Sequence, residues 1–225
     1  MQTGESNDLM SVLGHDLRSP LTAIRGAATL LLQAQGGLEP AKVAELLRLI
    51  DSQAARMADR VEDVLVAGRL DRGGIRVLAE DVDLADVLAD VLEPARARAR
   101  EHRIRVQVPV DGIVVRGDMQ RVAQVLRMLI DNAVRYSPAG TPIEVRAERA
   151  GAGTVRVEIR DRGPGVAPEQ RERIFGRGVK LAEEGPGAGL GLYVVRGLVE
   201  AMSGQAGVEP RPGGGSSFWV TLKAK

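Results

Sequence analysis

Two long stretches near the N-terminus repeat their apolar residues every three to four positions, as amphipathic helices do. In the first, Leu9, Leu13, Leu17, Leu21, Ile24, Ala28 and Leu31 form one stripe, and the pattern ends near Gly36-Gly37. The second begins after Glu39-Pro40, with proline acceptable in a first turn. Its stripe is Val43, Leu46, Leu47, Ile50, Ala54, Met57, Val61, Val64 and Leu65. Two helices of about 30 residues, each about 45 Å long, make a hairpin. A lone hairpin cannot cover both stripes. Pairing with a second copy into a four-helix bundle is therefore the expectation, with packing on the downstream region as the alternative.

The periodicity changes after Arg72-Gly73-Gly74. Candidate strands are Gly74–Leu78, Ile104–Val108, Ile113–Arg116, Ile143–Arg149, Val155–Arg160 and Ser216–Leu222. Candidate helices are Leu84–Arg100, Met119–Tyr136, Pro168–Phe175 and Leu190–Met202. Strands interleaved with helices predict an α/β sandwich. The expected organisation is an all-α hairpin over residues 1–72 and an α/β sandwich over residues 73–225. Aromatic residues are 2% of the chain, so the core must rest on Val, Leu, Ile and Ala.

Composition mainly excludes. A net charge of +1 drives binding to neither nucleic acid nor anionic lipid. The run Arg96, Arg98, Arg100, Arg103 and Arg105 reads as a solvated helix face. Without cysteine there is no disulfide and no thiolate metal site, and His15 and His102 lack metal-ligand spacing. No apolar run approaches the roughly 20 residues that cross a bilayer. The expected location is the cytoplasm, as a free protein or as the cytoplasmic part of a larger membrane-bound sensor.

Four segments carry candidate chemistry. His15, in GHDLRSPL (Gly14–Leu21), points roughly 160° away from the centre of its helix's stripe, beside the carboxylate of Asp16. Alone, a surface histidine signals little. Asp118 is placed to cap the Met119–Tyr136 helix, whose flank carries Arg121, Met128, Asn132 and Arg135. An amide oxygen among basic neighbours suits a Mg²⁺-phosphate site, although solvated residues explain it equally. DRGPGV (Asp161–Val166) follows a strand, and its Asp could accept from an exocyclic amine; a simple turn also fits. GPGAGLGL (Gly185–Leu192) opens a helix with closely spaced glycines, whose N–H groups can face an anion. Gly213-Gly214-Gly215 leads into the last strand, which a glycine turn alone could explain.

In this order the segments resemble those of bacterial two-component sensor histidine kinases, from about Leu9 to Leu222. GHDLRSPL resembles the H-box, Leu126–Pro138 the N-box, and Arg173–Phe175 the start of the F-box. DRGPGV, Gly187–Leu192 and the Gly213 run resemble the three glycine boxes. The resemblance implies a dimerisation and phosphoacceptor hairpin joined to a Bergerat (GHKL) type ATP-binding domain. It implies that His15 is phosphorylated from ATP and oriented by Asp16, and that an aspartate of a response regulator receives the phosphoryl group. Asn132 would be the Mg²⁺ ligand and Asp161 the partner of the adenine amine. Arg135, Tyr136, Gly163, Gly165, Gly187, Gly189, Leu190 and Gly191 would line or shape the pocket, under a lid at about Gly176–Ala188.

Several positions depart from the family pattern. Met128 stands where related ATPases such as gyrase carry a water-activating Glu, which favours transfer to histidine over hydrolysis. Ser19 replaces the usual Thr or Asn that assists phosphatase activity. Gly178 replaces the second F-box aromatic, predicting a loosely anchored lid. Pro20 leaves the Asp16 carbonyl without its helical donor and favours a kink near His15. Two other readings are a dimeric scaffold that has lost phosphotransfer and a Bergerat-type ATPase or serine kinase.

Overall fold

In the computed structural model, residues 3–34, 36–99, 101–109, 112–151, 153–180 and 189–225 are described, with side chains from Leu17 onward. Helices α1 (Thr3–Gln33) and α2 (Pro40–Leu70) form the expected hairpin, with Pro40 in the first turn of α2. Between them Gly37 N donates to Ala34 O at 2.6 Å, closing the turn. Helix α1 continues as one element through Pro20, so losing a single backbone donor does not end it.

The hairpin stripes are only partly covered. Leu21, Leu47 and Leu65 stay about half exposed. At the C-terminal end of α2, however, Val66 and Ala67 are buried in the core of the following domain. Packing on the downstream region, the alternative to pairing, is thus realised at the end of α2. The last turns of α2 belong to both units.

The second unit is a seven-stranded mixed sheet with three helices on one face. Its strands are β1 (Glu80–Asp83), β2 (Arg103–Gln107), β3 (Val114–Gly117), β4 (Pro142–Arg149), β5 (Thr154–Arg160), β6 (Gln205–Pro210) and β7 (Ser216–Ala224). The order is β1-β3-β7-β5-β4-β2, with β6 paired to β7; the β2–β4 pair is parallel. Helices α3 (Leu84–Arg98), α4 (Met119–Tyr136) and α5 (Gly191–Ala201) cover the face where Ile143, Val145, Val155, Val157, Ile159, Val220 and Leu222 alternate inward. The opposite face is polar. There Arg156 lies 4.5 Å over the Trp219 ring, and Glu158 sits between Arg156 and Arg160.

Some expectations need correction. Gly74–Leu78 is no strand: Ile75 and Val77 do pack on the core, but Leu78 N donates to the Asp118 side chain at 3.1 Å. The alternation there reports an extended chain without a ladder partner. Strand β6 was not expected, because Gly207 and Pro210 obscure its pattern. A Cβ at Gly207 would lie 2.4 Å from the Trp219 ring, so the indole takes the room a side chain would need. Pro168–Phe175 forms two 3₁₀ turns, Pro168–Gln170 and Arg173–Phe175, rather than a helix. The arginine run is not one helix face. Arg98 in α3 pairs with Asp131, whereas Arg103 and Arg105 lie in β2.

Candidate active site

Asp118 caps α4 as its sequence predicts, accepting from Arg121 N at 3.2 Å. The cap fixes the phase of the helix: Val122, Leu126, Leu129 and Ala133 are buried, and Met128, Asn132 and Arg135 lie along one flank. With Tyr136 at the helix end, this flank walls a cavity of about 430 Å³, within the range of small-molecule sites. Opposite stand Asp161 at the end of β5, Gly165 in the following turn, and Gly189, Leu190 and Gly191 at the start of α5. Arg121 is not among them. Its guanidinium turns to Glu62 of α2 and Gln124, each at 2.9 Å.

Asp161 is 3% exposed. Its Oδ1 accepts from Gly163 N at 2.7 Å and Ser216 N at 3.1 Å, which leaves Oδ2 for a donor in the cavity. Burial raises its pKa above the ordinary carboxylate value, and the two N–H donors and the Arg211 charge partly offset that. Gly163 shapes the site without lining it. A Cβ there would lie 2.9 Å from Tyr136 O, so glycine lets the turn close on the end of α4. Arg162 holds the third glycine run against the same turn, its Nη1 donating to the carbonyls of Pro212, Gly213 and Gly214 at 3.3, 2.7 and 3.2 Å.

Gly187 and residues 181–188 of the expected lid lie outside the described residues. The segment's two ends are joined, however: Gly178 N donates to Gly189 O at 3.1 Å. Gly189 has φ +66°, and a Cβ there would lie 2.6 Å from Gly178 C. Gly178, where the family pattern has the second F-box aromatic, thus lies directly against Gly189. The side chains of His15 and Asp16 also lie outside the described residues; their backbone is part of α1. Ser19, one turn on, is exposed.

The cavity has a third wall that sequence reasoning missed: Arg60, Asp63 and Val64 of α2. Asp63 is 3% exposed and accepts from Gln124 Nε2 at 3.2 Å and Arg127 Nη2 at 3.4 Å. Asp59 reaches Arg127 at 3.2 Å. Asp59, Glu62 and Asp63 on α2 are opposite in charge to Arg121 and Arg127 on α4, but nothing local in either helix's pattern pairs the two. Counting about 1.5 Å per residue from the shared turn, His15 on α1 stands level with Ala58 on α2. The nucleotide-sized cavity therefore meets the hairpin within about two helical turns of that level.

For a metal, the described residues hold no group of three or more His, Cys, Asp or Glu. A half-buried Asn132 on the cavity wall offers one amide oxygen. That fits Mg²⁺ arriving with phosphates and keeping its waters, not an ion caged by protein.

Two family models match in succession. Residues 5–73 match the His Kinase A (phospho-acceptor) domain, and residues 117–225 the histidine kinase-, DNA gyrase B- and HSP90-like ATPase. The chain belongs to the sensor histidine kinases. It is 34% identical over 219 residues to the adaptive-response sensory kinase SasA of Synechococcus sp. (strain JA-3-3Ab), covering 95% of this chain and 58% of that protein. This histidine kinase chain thus spans little more than half the length of such relatives. The solved structure of full-length ShkA in complex with AMPPNP superposes with a TM-score of 0.67 at 32% identity, covering 97% of this chain and 46% of that one. The Acinetobacter baumannii histidine kinase AdeS gives 0.61 at 26% identity, covering 93% and 97%. Residues 74–116 fall outside both family models, yet α3 from this stretch packs on α4 and belongs to the kinase's ATPase-like unit.

Proposed function

We propose that this chain is the kinase core of a two-component sensor: it phosphorylates His15 from ATP and passes the phosphoryl group to an aspartate of a response regulator. One observation carries the reading. A single cavity joins an amine acceptor (Asp161), a Mg²⁺-phosphate amide (Asn132) and the face of α2 close to the level of His15. Phosphoryl transfer asks a protein chiefly for placement and charge neutralisation.

In this reading Asp161 Oδ2 accepts from the adenine amine, and Arg135, Tyr136 and the Gly189–Gly191 turn flank the nucleotide. Asn132 holds the nucleotide's Mg²⁺; when bound, the ion neutralises and orients phosphate oxygens. A neutral His15 ring nitrogen attacks the γ-phosphorus, the bond to the β–γ bridging oxygen breaks, and ADP leaves. Asp16 holds the proton of the other ring nitrogen and so sets the attacking tautomer. Met128 offers no base to activate water, which favours transfer over hydrolysis. Exposed Ser19, a turn beyond His15, is the candidate for positioning water in dephosphorylation. The functional unit is a homodimer through the hairpin, and the receiver domain docks on that bundle.

Incubation with γ-labelled ATP tests this reading. The expected result is acid-labile, alkali-stable label on the protein, absent in His15→Gln. An unlabelled protein that still binds a receiver domain would support a scaffold, and release of free phosphate alone would support an ATPase.

A further inference from the structure

Arg211 is a buried cation outside the cavity. It sits beside the third glycine run and is 8% exposed. The turn closes on it: Arg211 N donates to Gly215 O and Gly214 N to Arg211 O, both at 3.1 Å. Its guanidinium is then directed under the sheet end. Nη1 donates to the backbone oxygen of Asp161 at 2.9 Å, and Nη2 to Glu144 Oε1 of β4 at 2.7 Å. A cation this buried is costly unless paired and hydrogen-bonded, and here it is both. Two donors in a fixed fork bind two strands at once, which an ammonium cannot copy.

The turn also approaches Asp161 from its other side. A Cβ at Gly215 would lie 2.3 Å from Asp161 O. Asp161 N donates to Ser216 O at 2.9 Å, and Ser216 N returns to Asp161 Oδ1. Asp161 is thus gripped at its N–H, its carbonyl and one carboxylate oxygen by the segment that Arg211 anchors.

The geometry points to Arg211 as a positioning residue for nucleobase recognition: it fixes the backbone of Asp161 and places a positive charge on the far side of its carboxylate. This rests on the reading of Asp161 as the adenine partner. Oδ1 is taken by two N–H donors, so protonation falls on Oδ2 and weakens it as an acceptor for adenine's amine; burial favours that protonation, and the Gly163 and Ser216 N–H groups, then the Arg211 charge, oppose it. Other charges near the pair are Arg160 and Arg162 on or beside β5, Glu144 facing Arg211 from β4, and Arg135 and Lys180 on the cavity wall. Glu144 partly neutralises Arg211, so the two residues act on Asp161 in opposite directions.

The test is calorimetric titration of the full chain with ADP and Mg²⁺ between pH 5 and 8. The ligand's own phosphate titration is common to all variants and cancels in the comparison. In Arg211→Met, binding is expected to fall off at a higher pH than in wild type, so the affinity ratio of variant to wild type drops as pH is lowered. Arg211→Lys keeps the charge and is expected to keep the wild-type midpoint with weaker binding throughout. Glu144→Gln leaves Arg211 unneutralised and is expected to move the midpoint downward. If Arg211→Met does not fold, Glu144→Gln still decides the question. Affinity lowered by one factor at every pH in Arg211→Met, or an unmoved midpoint in Glu144→Gln, would overturn the proposal and leave Arg211 a structural brace. Wild-type protein that does not bind ADP, or Asp161→Asn that binds it normally, would instead overturn the reading of the site.

Discussion

At Asp161 a carboxylate earns its place by having two oxygens with different duties. Oδ1 is consumed by the Gly163 and Ser216 N–H groups, so the chemistry of Oδ2 alone meets the ligand. Asp161→Asn can satisfy those two donors with its amide oxygen, but then presents an NH₂ to the adenine amine, donor against donor. A hydrogen bond to a charged group contributes about 1.5–3 kcal/mol, so ADP is expected to bind at least about tenfold more weakly, read by calorimetry at pH 8. The raised pKa sets the sign with pH. A carboxyl whose folded pKa exceeds its unfolded value gives stability that is present below the unfolded pKa and lost as pH rises through the folded one. Ligand-free protein therefore loses stability through Asp161 over the window where nucleotide affinity through it grows. Stability at this residue is exchanged for binding.

The contact between α2 and α4 shows the same trade in elements. Arg127 faces three carboxylates, Asp59 at 3.2 Å, Asp63 at 3.4 Å and Asp131 at 4.0 Å. Asp59 and Asp131 are more than a third exposed and screened by water, so the buried Asp63 dominates. Burial raises the pKa of Asp63, with Arg127 and Gln124 pulling it down less strongly. An asymmetric pair of outcomes is expected in denaturant unfolding at pH 7.5. Arg127→Ala leaves the buried Asp63 carboxylate with Gln124 and the more distant Arg60 at 3.7 Å, and costs about 1–3 kcal/mol, less as pH falls. Asp63→Asn removes a penalised charge, keeps an acceptor for Gln124, and changes stability by less than about 1 kcal/mol. The same contact marks where sequence reading stops. Both ends of α4 were legible, because Asp118 and a 3.6-residue period are local signals. The flank bearing Met128, Asn132 and Arg135 was legible for the same reason. Which distant helix would face Arg121 and Arg127 was not, since periodicity fixes a side chain's direction and not its partner. Strand β6 was hidden by Gly207, a residue chosen for the Trp219 ring across the ladder. The chain at Ile75–Leu78 looked like a strand because burial alternates there without hydrogen-bond pairing.

On the scale of the whole molecule, two kinds of contact compete for the hairpin, and they lie on different faces. The end of α2 supplies Val66 and Ala67 to the core of the sheet unit, while Leu21, Leu47 and Leu65 stay half in water. Leucines at this spacing on both helices are what a second hairpin would cover, each contributing about 1 kcal/mol when its exposed half is buried. The cavity proposed for the nucleotide, by contrast, is walled among the described residues by one chain alone: α2, α4, the turn after β5, the stretch from Gln170 to Lys180, the start of α5 and β7. Dimerisation and nucleotide binding are therefore separable. Leu21→Glu combined with Leu47→Glu places charge in the seam, and sedimentation is expected to show monomer where wild type sediments as dimer. ADP affinity in that variant is expected to stay at the wild-type value, because neither leucine touches the cavity. If affinity fell with the dimer, the partner hairpin would have to contribute to the nucleotide site, and the wall built from Arg60, Asp63 and Val64 would not suffice.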